Sequence, residues 1–525
     1  MKNKLTAQLS VAAAVGLLPF VAAAHTPHVC SDLPDAPMFA EHMEHADIAS
    51  GVIPMQDVFD HGEALFVGNF NKCDGQGRPQ TTGGGAKRFG DHPEKLRTSA
   101  PDADSCAGCH AQPRLGGGGD FVANVFVLAQ TLDPVTESVN GAFSNERNTL
   151  GMFGAGPIEM LAREMSWDLQ AQAAGLPDGA HVLNTKGVDF EITIAGGAVV
   201  ESRGVNTDLV IRPFHQAGAV VSLREFTDNA MNHHHGMQAE ERFDMNPAMG
   251  FDPDFDEDGI ERELTVGDIT AVTLWQAQLG TPSRVMPADP ARRQAAKRGE
   301  QLFADVDCTG CHKPKMYLES RHFVEPNPFN PPGTCADPSV CPPVSFDMTK
   351  DGEGPNLKRA PGGGAVVEAY TDLKRHNLCD DEGTPGAIRF FCNEQLTQGR
   401  PSQDGKPGTE FFLTRKLWDV GNSGPYGHRG DLSTIAEAIL MHGGEARPSR
   451  DAFVALPRED QEAVVEFLKT LQVVPPDAER GMSKGKRKDA IAKPRRPAGD
   501  CPRPAAGAGS SPPRTALPTA LDRAP

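Results

Sequence analysis

Two strings of this chain carry chemistry in their spacing: Cys106-Ala107-Gly108-Cys109-His110 and Cys308-Thr309-Gly310-Cys311-His312. Two thiols spaced in this way share one turn, where they can add to the two vinyl groups of a haem. The adjacent histidine then reaches the iron as its proximal ligand. Cysteine and histidine also bind zinc, but a zinc site would need two further ligands at matching spacing, and neither string has an obvious partner pair. Two copies on one chain favour two covalently bound haem c groups.

The elements that must hold these strings are legible around them. Before the second string, Ala291 to Phe303 predicts a short helix in which Gly299 could pack closely against a neighbour. It resembles the first helix of a class I cytochrome c, which crosses the last helix over the haem edge. That last helix is predicted over Arg458 to Leu471, with Val464, Val465, Phe467, Leu468 and Leu471 on one face. Gly62 to Phe66 looks like the same leading element before the first string, separated from Cys106 by about forty residues of Gly-, Pro- and Lys-rich insertion.

At 525 residues the chain is long enough for two or three domains, and 55 Gly with 44 Pro imply many loops. A net charge of −19 argues against nucleic acid and is compatible with steering a cationic protein, such as a small basic cytochrome, to the surface. Met1 to Lys4 is basic, Leu5 to Val21 mostly apolar, and Ala22-Ala23-Ala24 small, which predicts a secretory leader cleaved after Ala24. The apolar run falls short of the roughly 20 residues that span a bilayer, and no later segment is apolar enough, so a soluble periplasmic protein is expected. In such an oxidising compartment Cys335 would pair with Cys341, Cys379 with Cys392 and Cys30 with Cys73, leaving Cys501 over. The organisation read from these features is a leader over 1–24, an N-terminal haem domain over 25–285, a C-terminal cytochrome c-like domain over 286–475, and a basic tail over 476–525. That tail holds eleven Lys and Arg against five Asp and Glu, with almost no large apolar side chains, and is expected to stay disordered. The fold class is mainly α: two cytochrome c-like haem domains with irregular insertions and a short hairpin over Asp189–Val200, where Phe190, Ile192 and Ile194 alternate.

The two strings, about 200 residues apart, are followed by L-W-D-V-G-N-S-G-P-Y-G-H-R-G from Leu417 to Gly430, and together they resemble the bacterial di-haem cytochrome c peroxidases and MauG. Tyr370-Thr371-Asp372-Leu373 and the run from Ile435 to Ala446 are similar to the di-haem oxidoreductase branch of that superfamily. The resemblance covers roughly residues 60–472. It implies that the C-terminal haem, held by Cys308, Cys311 and His312, passes electrons from an external donor to the N-terminal haem, held by Cys106, Cys109 and His110, where hydrogen peroxide is reduced.

In the peroxidases a methionine fourteen residues after the motif histidine caps the electron-transfer haem. Counted from His428 that position is His442, with Met441 as the competing ligand, and neighbours on a helix point about 100° apart, so one of the two faces the iron. A second imidazole would lower the potential relative to His/Met ligation. The family's distal glutamate, just before a Met-Gly-Met string, aligns with His234 in Met231-Asn232-His233-His234-His235-Gly236-Met237. Histidine can do the same acid–base work. His215 in Arg212-Pro213-Phe214-His215 is a second distal candidate. The resemblance also implies a calcium held by Asn148 and the carbonyls of Ser423 and Pro425. Separately, Asp254, Asp256 and Asp258 alternate as in a calcium loop, although Thr265 stands where an EF-hand has glutamate. A relay tryptophan has three candidates: Trp167, Trp275 and Trp418. Two rival readings stay open. One is an oxygenase or protein-modifying oxidase, as in the rubber oxygenases and MauG. The other is a plain electron carrier, if one of the three clustered histidines closes the first iron.

Overall fold

The computed structural model describes residues 35–77, 103–120, 122–124, 146–243, 252–254, 258–392 and 410–476. The leader, Cys30, Asp256, Cys501 and the basic tail lie outside the described residues. All described residues fall within one compact unit, Met1–Arg480.

Two helix crossings organise it. In order, α1 is His45–Ser50, α2 Met55–Val67, α3 Ala155–Ala173, α4 Leu223–Ala230, α5 Val266–Gln278, α6 Pro290–Asp305, α7 Ile435–Leu440, α8 Arg447–Ala455 and α9 Arg458–Leu468. Helix α6 starts on an Asp289 cap with Pro290 in its first turn, where a missing N–H costs nothing, and buries Ala296, Gly299 and Phe303 along one stripe. It packs on α9, which buries Ala463, Val464, Phe467 and Leu468. A β-carbon on Gly299 would lie 1.8 Å from the Ala463 carbonyl oxygen, so only glycine permits this approach. The same device recurs at the first string. Helix α2 buries Val58, Phe59, Gly62, Leu65 and Phe66, and a β-carbon on Gly62 would lie 2.2 Å from the Ala271 oxygen of α5. The fully buried Trp275 of α5 stacks on Phe66 at 4.4 Å. Each such aromatic, fully buried, contributes about 1.5–3 kcal/mol of apolar burial.

Helices outweigh strands, but the strand content exceeds the single hairpin expected over Asp189–Val200. Gly179–Thr185, Val188–Ala195 and Ala198–Ser202 form a three-stranded antiparallel sheet. Its turns, Lys186-Gly187 and Gly196-Gly197, all have positive φ, which matches the twist of tight hairpins. The strands elsewhere run for two to four residues, too short for alternation to stand out in the sequence. Helix α9 ends at Leu468 rather than Leu471, because Leu471–Gln472 turns to pair with Ser283–Arg284. Disulfides join Cys335 to Cys341 and Cys379 to Cys392, and Cys73 is disulfide-bonded as well. No described helix is long and apolar enough to cross a membrane.

Candidate functional site

The second string sits where α6 ends. Cys308–Gly310 form one 3-10 turn, and His312 follows it with Nδ1 bonded to the Tyr370 carbonyl oxygen at 3.1 Å. That bond makes Nδ1 the protonated nitrogen and leaves the Nε2 lone pair for a metal. His442 has the same arrangement: its Nδ1 meets the Ala438 oxygen at 2.8 Å. A capping box of Thr434 with Glu437 starts α7, and His442 emerges just past that helix's end. Both imidazoles line one cavity of about 520 Å³, with Phe303, Ile435, Ile439 and Leu468. Met441 is not among the lining residues. Burial pushes His312 down to about 4, and the nearby His442 adds to the shift; burial lowers His442 as well.

Arg450 also lines this cavity, and its buried Nε has no hydrogen-bond partner. An orphaned guanidinium donor over an apolar cavity suits a haem propionate. The two strings do not close into four-ligand metal sites. Among the described residues the convergent group of ligand atoms is Cys311, Asp372 and His376, which takes one thiol of its string and leaves Cys308 and His312 out. The donor set therefore fits haem better than zinc.

Cys106–Gly108 repeat the 3-10 turn at the first string, and His110 directs Nδ1 to the Gly117 oxygen at 3.3 Å. Gly117 and Gly119 permit that wrap, since β-carbons there would lie 1.9 Å from the Gln112 oxygen and 2.0 Å from the Cys109 oxygen. Burial raises the thiols of Cys106 and Cys308 to about 12.

Over the first string the three clustered histidines part ways. They occupy a π-helical turn, Met231–His235, added to the end of α4, and such extra-residue turns re-aim side chains. His235 lines the cavity, with Nε2 3.2 Å from the Cys106 Sγ and Nδ1 3.0 Å from the Ala103 oxygen. His234 lines it too, and so does His215, at φ 60 and packed edge-on to Phe226 at 5.1 Å. Burial lowers His215 to about 4, with His234 and Arg147 adding to the shift. Arg147 is buried in the wall of the same cavity that His215 and His234 line. Nothing in the sequence marks Arg147 except its place beside Asn148.

The cavity runs on without a break from the first string to the second. His428, which lines it, is caged by Phe390, Phe391 and Phe412 at 5.4–5.7 Å between ring centroids, and the Cys379–Cys392 disulfide closes the loop that brings two of those rings in. Lys416 also lines the cavity and pairs with the buried Asp419 at 2.8 Å, although burial pulls the lysine down to about 8. Trp418 is buried against Gly154, Trp275 against Phe66, and Trp167 is 49% exposed.

Of the candidate calcium ligands, Asn148 donates from Nδ2 to the Pro425 oxygen at 3.0 Å, while its buried Oδ1 has no hydrogen-bond partner. Ser423 lines the same cavity. Elsewhere, Asp254 accepts from the Gly259 amide at 3.2 Å and Asp258 from the Ile260 amide at 2.7 Å.

Residues 363–471 match the family model described as "Di-haem oxidoreductase, putative peroxidase". No curated protein matches the chain. Solved structures similar to it include Kuenenia stuttgartiensis hydrazine synthase under xenon pressure, 13% identical, covering 90% of this chain and 100% of that one at a TM-score of 0.33. Another is a MauG-like protein associated with microbial copper homeostasis, 14% identical, with coverages of 83% and 93% and a TM-score of 0.32. A third is a variant of the di-haem peroxidase BthA from Burkholderia thailandensis, 14% identical, with coverages of 84% and 91% and a TM-score of 0.33.

Proposed function

We propose that this chain, whose residues 363–471 match the di-haem oxidoreductase family model, is an exported peroxidase that holds two thioether-linked haems and reduces hydrogen peroxide to water. The observation that carries the reading is the single cavity whose lining includes Cys106, Cys109, His110, His215 and His234 together with Cys308, Cys311, His312 and His442. When bound, the haems supply one-electron storage and an iron for the oxidant to meet.

The chain's own residues do the rest. His312 and His442 would each offer one nitrogen to the second haem, which would leave it to carry electrons rather than meet substrate. At the first, burial keeps His215 neutral, so it can take a proton from incoming peroxide and return it to the departing oxygen, with His234 beside it as the alternate. The Arg147 guanidinium favours the negative charge that develops on that oxygen. Two electrons and two protons per peroxide yield two waters. The electrons come from an external donor, and the net charge of −19 suits a cationic one such as a small cytochrome c. The buried Asn148 Oδ1, without a hydrogen-bond partner, supports a calcium ion there, which would stiffen the chain between the two sites.

The same two distal histidines favour a second reading, in which one of them binds the first iron and leaves a carrier. One set of measurements separates the two. A mass spectrum of the mature protein should show both added macrocycles, and EPR of the half-reduced protein should show a high-spin signal that vanishes on adding peroxide. Low-spin signals in both oxidation states without peroxide turnover would leave the carrier, and absence of the added mass would end both readings.

A further inference from the structure

His376 lies on the strand Arg375–Asn377 with both ring nitrogens bonded to carboxylates: Nε2 to Asp372 Oδ2 at 2.9 Å and Nδ1 to Glu445 Oε2 at 2.8 Å. A carboxylate can only accept, so a ring that serves one on each side carries two N–H donors and a positive charge. The positions of the two carboxylates matter more than the charge. Asp372 lies two residues after Tyr370, whose carbonyl orients His312. Glu445 lies three residues after His442. The imidazolium thus ties the segment behind one axial histidine to the segment that bears the other. Side-chain exposures of 3% for Asp372, 12% for His376 and 27% for Glu445 place the Asp372 half of the link in the interior, where charge-assisted bonds hold geometry well.

The surrounding backbone is built to serve this link. Tyr370 and Leu373 sit at φ 56 and φ 55, a strained region for such residues, so the turn bearing Asp372 persists because its neighbours fix it. On the other side Gly443 and Gly444 let the chain press onto the strand: β-carbons there would lie 2.9 Å from the Leu378 oxygen and 2.3 Å from the Asn377 oxygen. The Asn377 amide donates to Glu445 Oε1 at 3.2 Å, and the Gly444 amide to Asp380 Oδ1 at 2.8 Å. Arg203 approaches Glu445 from the solvent side at 3.2 Å.

We propose that His376 is a positioning residue, the clasp that fixes the separation of His312 and His442 across the second haem and so keeps that iron closed to exogenous ligands. The proposal rests on the di-haem reading above. His442 follows a helix of only six residues, and without the clasp its segment could drift by enough to release the iron.

The test uses the full-length holoprotein with cyanide as probe, following the low-spin EPR signal of the second haem. His376→Ala should weaken that signal and raise the rate of cyanide binding there by about 10- to 100-fold, the usual cost of losing an orienting partner behind a ligand, with the first haem's signal unchanged. Glu445→Gln, at the half-exposed end of the link, keeps the shape and should give a smaller rise in the same direction, so the proposal stays testable if the alanine variant folds poorly. A lower urea midpoint with the wild-type signal and cyanide rates within twofold would overturn it, since a merely structural residue behaves that way. If the unaltered protein lacks a bis-histidine second haem, the parent reading fails instead, and the clasp with it.

Discussion

Gly299 lies so close to Ala463 that a β-carbon on the glycine would stand 1.8 Å from the alanine's carbonyl oxygen. This contact sets how near α6 comes to α9, and α6 runs directly into Cys308. The spacing of two helix backbones therefore decides where the second pair of thiols sits. Gly62 against Ala271 likewise sets how near α2 comes to α5, although α2 does not run into Cys106.

Gly299→Ala should lower stability by about 1–3 kcal/mol, because the added methyl forces the crossing apart against rigid backbone rather than a movable side chain. Urea unfolding followed at the second haem's absorbance band measures it. An unchanged midpoint would show that the helices can part freely.

At the second iron, His442→Ala should open a coordination position and convert that haem from low to high spin, whereas Met441→Leu should leave its spectrum as it was. The difference follows from the walls of the cavity, which include His442 and not Met441. If the Met441 variant alone changed spin state, the helix end would be rotated by one residue from the arrangement described.

The distal histidines should also separate by function. His215→Ala and His234→Ala each remove a cavity-facing imidazole and should cut peroxide turnover, by about 10²–10⁴-fold for whichever moves the proton. His235→Ala should cost less, because that ring, although it lines the cavity, is already engaged by Cys106 and the Ala103 carbonyl. Stopped-flow peroxide reduction on the three variants decides it, and equal losses in all three would mean that the cluster acts through the fold of the π-helical turn.

Much of the frame was legible in the sequence because it rests on local spacing: the two C-x-x-C-H strings, a glycine on an apolar helical stripe, and the stripe of α9. What was not legible depends on contacts between distant segments. His376 stands four residues after Asp372 in a stretch already singled out, yet its role needs Glu445, 69 residues later in the chain, to be brought beside it. The glycines after Arg114 carry no spacing signal, and only the fold shows them wrapping His110. Arg147 carries no spacing rule at all. That His234 and His235 both line the cavity was equally hidden, since a π turn breaks the 3.6-residue period that sequence reading assumes.

His428 gives a prediction about acid. Burial within its cage of phenylalanines pushes the ring down to about 3, with Arg147 and Arg429 adding to the shift, so the folded protein holds it neutral. In the unfolded chain it titrates near 6.5. Between those values the unfolded state binds a proton that the folded state refuses, so the residue's contribution is complete above pH 6.5 and is lost as pH falls toward 3. From pH 7 to pH 5 the loss is about 2 kcal/mol, at about 1.4 kcal/mol per unit below 6.5. His428→Phe, which keeps an aromatic ring in the cage, should lose that part of the acid sensitivity. His215 and the haem-facing histidines are common to both proteins, so the difference in urea midpoint between pH 7 and pH 5, variant against wild type, isolates His428. Equal pH dependence in the two would mean that the cage admits water and that the ring ionises in place.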